Sequence, residues 1–121
     1  MQIAQKNFYK KLLGRVGEQK AAEYLEKKGY KIIEKNYKTH VGEIDLIAKD
    51  GDQIVFVEVK TRSNDAFGLP SEAVDTKKQE KYYKVADEYL LRCKKKDLSC
   101  RFDVIEIENG QINHIINAFW R

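Results

Sequence analysis

Long apolar stretches are the first thing missing. The longest unbroken apolar run is four residues, Ile54 to Val57, where a membrane-spanning helix needs roughly twenty. The N-terminal string MQIAQKNFYKKLL is basic but has no apolar segment behind it, so no secretory signal is expected. Cysteine is scarce. Cys93 and Cys100 make no CxxC, and His40 and His114 lie far apart with no shared ligand spacing. This argues against a zinc site and for two reduced, partly buried thiols in a cytoplasmic protein. One proline and seven glycines exclude a collagen-like repeat, a Pro-rich linker or wholesale disorder.

What remains is one domain's worth of chain. The 121 residues are enough to bury a core without disulfide or zinc staples, and a single domain over 1–121 is expected. Lys and Arg number 23 against 19 Asp and Glu, a net charge of +4. That balance is compatible with a polyanionic partner without identifying one.

Periodicity sets the order of elements. From Phe8 to Lys28 the apolar residues Leu12, Val16, Ala21, Ala22 and Leu25 follow helical spacing, and Gly29 ends the helix. Tyr30 to Tyr37, Gly42 to Lys49 and Gln53 to Thr61 read as strands, the last two joined by Asp50-Gly51-Asp52, a tight-turn sequence. Ser63 to Asp75 reads as a loop holding Gly68 and Pro70. Thr76 to Lys94 is a second helix with Tyr82, Val85, Ala86, Tyr89, Leu90 and Cys93 on one stripe. Arg101 to Glu108 and Gln111 to Asn117 close the chain as a hairpin around Asn109-Gly110. The order αβββαββ predicts an α/β fold, one sheet flanked by helices.

Alternate strand residues share a face. In the third strand Ile54, Phe56, Glu58 and Lys60 share one, and Val55, Val57 and Val59 the other. An acid and an amine thus end an otherwise apolar row, about 7 Å apart along the strand. Asp45 shares its face with Glu43 and Ile47. An even hairpin loop sets Asp45 opposite Glu58 or diagonal to it on one face; an odd loop or a bulge separates them. Two carboxylates about 4 Å apart repel by about 4 kcal/mol at an effective dielectric near 20. Such a pair needs a proton or a cation: Lys60 supplies one charge and a divalent ion the rest. Glu18 falls on the inward stripe of the first helix with Ala21, Ala22 and Leu25, where an acid needs a partner. Taken singly, Glu58 and Lys60 also fit a surface salt-bridge ladder, and Glu18 a rim position.

Asp45 followed after thirteen positions by Glu58-Val59-Lys60 resembles the PD-(D/E)XK nuclease pattern, Asp…(Asp/Glu)-X-Lys across a hairpin. The chain is more closely similar to the YraN family of small bacterial proteins. The strings are GRVGEQKAAEYL at 14–25, GEIDLIAKDGDQIVFVEVKTR at 42–62, FGLPSEAV at 67–74 and RFDVI at 101–105. The resemblance implies a restriction-endonuclease-like fold, a central mixed sheet with helices on both sides. It extends to archaeal Holliday-junction resolvases, in which a first-helix Glu, here Glu18, joins the Asp and the Glu-X-Lys. The Pro-Asp pair of the nuclease pattern is absent, since Ile44 precedes Asp45, and Asn36 to His40 replaces an Arg-rich approach in many relatives.

The chemistry implied is metal-assisted hydrolysis of DNA phosphodiesters, structure-selective rather than sequence-specific. Asp45, Glu58 and the Val59 carbonyl would hold Mg²⁺ (or Mn²⁺ in its place), Glu18 would complete the site directly or through water, and Lys60 would orient the attacking water. Lys10, Lys11, Arg15, Lys38, Arg62, Lys77, Lys78 and Lys81 are the expected phosphate contacts. DNA is the expected partner, a homodimer is compatible, and no membrane association is expected. The competing readings are a non-catalytic nucleic-acid-binding or accessory module that retains the fold, and an adaptor using the tyrosines of the second helix.

Overall fold

A computed structural model describes residues 3–62, 75–94 and 98–120. Helix α1 spans Ile3–Lys27 and is followed by strands β1 (Lys31–Lys38), β2 (Glu43–Asp50) and β3 (Gln53–Arg62). Helix α2 spans Thr76–Arg92, and β4 (Cys100–Glu108) and β5 (Gln111–Phe119) close the chain. The expected loop, with Gly68 and Pro70, lies outside the described residues apart from Asp75. The strands form one five-stranded sheet in the order β1-β2-β3-β4-β5. All neighbours are antiparallel except β3 and β4, which run parallel. A parallel pair needs a crossover, and α2 lies in it. The architecture is the expected mixed sheet flanked by helices and is compatible with a restriction-endonuclease-like fold.

Turn chemistry fixes both hairpins. Gly51 takes a left-handed φ of 61° at the first central position between β2 and β3, as a two-residue II′ turn requires. Asn109 and Gly110 both take positive φ, 52° and 77°, as a I′ turn requires.

Each helix covers one face. Tyr82, Tyr83, Val85, Ala86 and Tyr89 of α2 are buried against Ile47, Ile54, Phe56, Phe102, Val104 and Phe119. Phe56, Phe102 and Phe119 stack in a row with ring centroids 5.2 and 5.1 Å apart. On the other face Ala21, Ala22 and Leu25 of α1 are fully buried against Leu46, Ala48, Val55, Val57, Ile105 and Ile107. The small residues let the helix lie close to the sheet. Gly17 is the limiting contact: a Cβ there would run into the Thr61 side chain.

Leu12 and Val16 depart from the expected inward stripe, being 48% and 44% exposed. Gly17 meets β3 at Thr61, one residue from its end, so the turns of α1 before Gly17 have no strand left to cover them. Cys93 is half-buried as expected, whereas Cys100, at the start of β4, is exposed.

A polar network missed by periodicity lies on the α1 side. Asp103 is fully buried. Its Oδ2 lies 2.8 Å from His114 Nε2, and its Oδ1 accepts from Arg101 Nε at 3.0 Å and the Asn117 N–H at 2.9 Å. Arg101 also donates to Asp50, Gln53 and the Tyr30 hydroxyl. Burial alone would raise the Asp103 carboxyl, but the bonds from His114, Arg101 and the Asn117 N–H outweigh it and hold it below the usual carboxylate range. The network ties β4 and β5 to the β2–β3 hairpin and to the start of β1.

Two glycines in α1 separate propensity from packing. A Cβ at Gly14 meets nothing within 4 Å. Gly14→Ala should therefore raise stability by about 0.5–1 kcal/mol, the helical cost of glycine. Gly17→Ala should lower it by about 1–3 kcal/mol through overpacking, and Thr61→Ala should restore part of the loss. Chemical denaturation of the variants checks this; a stabilised Gly17→Ala would refute the close approach.

Candidate metal and phosphate site

The site begins where the β2–β3 ladder ends. Asp50 pairs with Gln53, an even loop, and the register runs to Leu46 opposite Val57. One step further would set Asp45 opposite Glu58, but there the pairing stops. The Val59 N–H instead donates to Asp45 Oδ2 at 2.8 Å. On the other side of β2, the pairing with β1 skips Asn36, whose φ of 52° kinks the strand opposite Asp45. Asp45 thus sits in a gap between three strands.

Burial first pushes the Asp45 carboxyl up to about 7, against the Val59 hydrogen bond, and the charges of Glu58, Glu18 and Glu43 push the same way. Those three acids surround it from β3, α1 and β2. Burial also raises the Glu18 carboxyl, opposed by a hydrogen bond to Asn36 and reinforced by Glu43. The Asn36 kink and the Gly17 contact together set where Glu18 stands. Glu58 is buried, its Oε1 taking the Lys78 ammonium at 3.0 Å while Oε2 is buried with no partner among the described residues.

Asp45 and Glu58 open on one cavity of about 400 Å³, with Glu43 beside them and Lys77, Lys78 and Lys81 of α2 opposite. Gly42, Asp75 and Tyr82 complete the lining. Glu18 and Lys60 stand outside it. Lys60 is half-buried and lies two residues beyond Glu58 on the same strand face. Beside it in the parallel register is Glu106 of β4, a buried acid that the sequence reading passed over.

The lysines of α2 are electrostatically out of place as helix residues. Asp75 caps the helix by accepting from the Lys78 N–H at 2.9 Å, and the first turn holds no acid. Two cations next to the positive end of the helix dipole each cost about 0.3–1 kcal/mol. Their compensation lies across the cavity, in the carboxylates.

The other expected phosphate contacts are dispersed. Lys11 and Arg15 are exposed on α1, away from the cavity lining, and nothing is described of the Lys10 side chain. Lys38 is exposed, 4.0 Å from Glu43. Arg62 is half-buried at the end of β3, its Nε without a partner among the described residues. Tyr82, Tyr83 and Tyr89 are buried in the core, which removes the tyrosine surface an adaptor would need. Among the described residues no helix is long and apolar enough to cross a membrane.

A hard divalent ion takes oxygen ligands. Among the described residues no three His, Cys, Asp or Glu side chains form a ready-made ligand group. Mg²⁺ does not require one: it keeps several waters and takes one or two carboxylates plus substrate oxygens. Asp45 and Glu58, both on the cavity wall, offer oxygens of that kind.

Sheet and helices define a mixed α/β protein whose architecture is compatible with a restriction-endonuclease-like fold. The particular family follows from comparison. Residues 17–107 match the family described as "Uncharacterised protein family UPF0102", and the chain belongs to it, in agreement with its YraN-like strings. A UPF0102 protein of Caldanaerobacter subterraneus subsp. tengcongensis is 54% identical over 121 residues, covering 94% of this chain and 99% of the relative. One of Alkaliphilus oremlandii is 53% identical over 115 residues, covering 90% and 98%. A third, of Thermodesulfovibrio yellowstonii, is 52% identical over 108 residues, covering 89% and 96%.

The raised Asp45 carboxyl predicts a pH dependence. Between the ordinary value of 3.8 and about 7 the folded protein holds a proton that the unfolded chain releases. Asp45 therefore makes stability fall as pH rises through that window and level off above it, by up to about 4 kcal/mol. Asp45→Asn, which keeps an acceptor for the Val59 N–H, should flatten the fall and be the more stable protein at pH 8. Denaturant melts from pH 4 to 8 in chelator check this; a wild-type curve no steeper than that of Asp45→Asn would refute it.

Proposed function

We propose that the protein is a Mg²⁺-dependent nuclease that hydrolyses DNA phosphodiester bonds, selecting DNA by structure rather than by sequence. The observation that carries this reading is the cavity with two kinds of wall. Acids on β2 and β3 suit a hard cation, and ammonium groups on α2 suit the phosphate that such a cation would share. A purely structural ion-pair network has no use for a cavity between its partners.

Each residue has a part. Asp45 and Glu58, with the Val59 carbonyl, would hold Mg²⁺ or Mn²⁺, and Glu18 would act on the ion through water. The bound ion supplies Lewis-acid polarisation of the phosphate and acidifies a water. The Val59 N–H fixes the Asp45 carboxylate before any ligand arrives, so little reorganisation remains at binding. Lys60 orients the attacking water and steadies the charge that develops on the phosphate. Lys77 and Lys81 draw the backbone into the cavity without reading bases.

A second reading, an accessory nucleic-acid-binding module that keeps the fold without cutting, draws on the Lys78–Glu58 pair, which neutralises one of the acids internally. A cleavage panel of single-stranded, duplex, flap and four-way-junction DNA with Mg²⁺ or Mn²⁺ separates the two. Binding without cutting of any substrate would establish the module.

Two sets of variants extend the test. Mg²⁺ or Mn²⁺ should raise the melting temperature of wild type by binding the folded site, and Asp45→Asn should abolish that rise. An equal response in both would place the ions elsewhere. Lys60→Ala should slow cleavage by roughly 10²-fold or more, the scale of one preorganised electrostatic contact, with a much smaller change in DNA affinity. Lys77→Ala with Lys81→Ala should do the reverse, giving weaker binding, a shallower salt slope and near-normal turnover at saturating DNA. Matching losses in both variants would contradict this division of labour.

A further inference from the structure

We propose that Lys78 is the resident counter-ion of Glu58, and that a divalent cation enters the site only by displacing it, so that Lys78 sets the metal affinity of the protein. The inference rests on the metal reading above and adds its control.

A buried carboxylate without a counter-charge is costly, and the chain supplies one from its own second helix. The Lys78 ammonium reaches Glu58 Oε1 at 3.0 Å. Its side chain is 47% exposed while that of Glu58 is 8% exposed, so the pair lies at the cavity wall with the amine on the solvent side. The other oxygen, Oε2, is closed off from solvent. An ion arriving through the cavity therefore meets Glu58 through the oxygen that Lys78 holds. Metal and ammonium compete for one acceptor.

The position of Lys78 on its helix supports a tether that can be released. It stands in the first turn of α2, where a cation opposes the helix dipole, and its backbone N–H is held by Asp75. The backbone is anchored, while the side chain is about half exposed. In the paired state the amine already stands over Tyr82, 5.9 Å from the ring centroid, and Lys78 lines the cavity, so the release proposed leaves the amine beside the space a phosphate would take. An ammonium that lets go of an acid when a dication takes its place adds no net repulsion at Glu58. It also leaves the empty site neutralised, and therefore stable, when divalent ions are scarce.

The test is calorimetric titration of the full-length protein with MnCl₂ alone, without nucleic acid. Lys78→Met keeps the bulk and removes the competing charge. It should bind Mn²⁺ roughly tenfold more tightly than wild type, the scale of one charge-assisted hydrogen bond no longer surrendered. Lys78→Arg, which keeps the charge, should show no gain. Glu58→Gln in the Lys78→Met background should erase the gain, and a gain that persists there would place the ions elsewhere and overturn the proposal. Melts in chelator establish that each variant folds, and Lys78→Gln, which keeps a donor to Glu58 without the charge, carries the same expectation if Lys78→Met does not fold. Equal or weaker binding by the uncharged variants, with wild type binding normally, overturns the counter-ion role and leaves the metal reading standing. Absence of Mn²⁺ binding in wild type and uncharged variants alike overturns both.

Discussion

The site depends on one hydrogen bond, from the Val59 N–H to Asp45 Oδ2. In a continued ladder that N–H would face a β2 carbonyl. By taking it with a side chain, Asp45 satisfies a backbone donor at the point where β2 and β3 part, and the parting leaves no orphaned group at Val59. The separation also admits the cavity: had the register continued, Asp45 and Glu58 would be ordinary cross-strand neighbours about 5 Å apart, with no space between the strands. The carboxylate is thus structural and chemical at once. It closes the sheet and presents its charge at the opening.

That arrangement concentrates negative charge, and the fold meets it from both faces. Glu18 comes from α1 on one side of the sheet, and Lys78 from α2 on the other. They reach a common region because it lies at the strand ends, where neither face is covered. Burial raises the Asp45 carboxyl and this crowding raises it further, and the lysines of α2 face the acids from the other wall. Each would be unfavourable alone. Together they make a polarised cavity lined by four acids and three lysines, in which an incoming dication and an incoming phosphate would each find the wall of opposite sign.

Much of this was legible in the sequence, for identifiable reasons. Period-2 alternation placed Glu58 and Lys60 on one face, and the Asp50-Gly51-Asp52 turn limited the β2–β3 register to a few choices, one of which holds. Element boundaries came within a few residues except at the start of α1, which begins at Ile3 rather than near Phe8. Periodicity cannot tell where a helix outruns its sheet, which is why Leu12 and Val16 looked inward. It also cannot pair residues across elements. Asp103 and His114 lie on adjacent strands, but their contact depends on the shifted register between β4 and β5. Lys78 reaches Glu58 only after the crossover has set α2 on that face. Glu106 carried a usable signal, since it alternates with Phe102 and Val104 and a parallel β3–β4 pair brings it beside Lys60.

The two ends of the sheet show what distinguishes a structural polar cluster from a site prepared for a ligand. At one end Asp103 is as buried as a residue can be, yet both of its oxygens are engaged, by Arg101, His114 and the Asn117 N–H, and its carboxyl is held below the usual range. Nothing there is left for a ligand to supply. At the other end Glu58 has one oxygen on an amine that reaches solvent and one with no partner among the described residues, and Asp45 is pushed above the usual range by burial first and by its acidic neighbours second. Asp103 is fully buried and Asp45 half-buried, yet it is the carboxyl of Asp45 that is raised and that of Asp103 that is lowered. A fold that can satisfy a buried acid as fully as it satisfies Asp103 has left Asp45 and Glu58 unsatisfied beside an open cavity. The missing positive charge is the property that a cation from solution would provide.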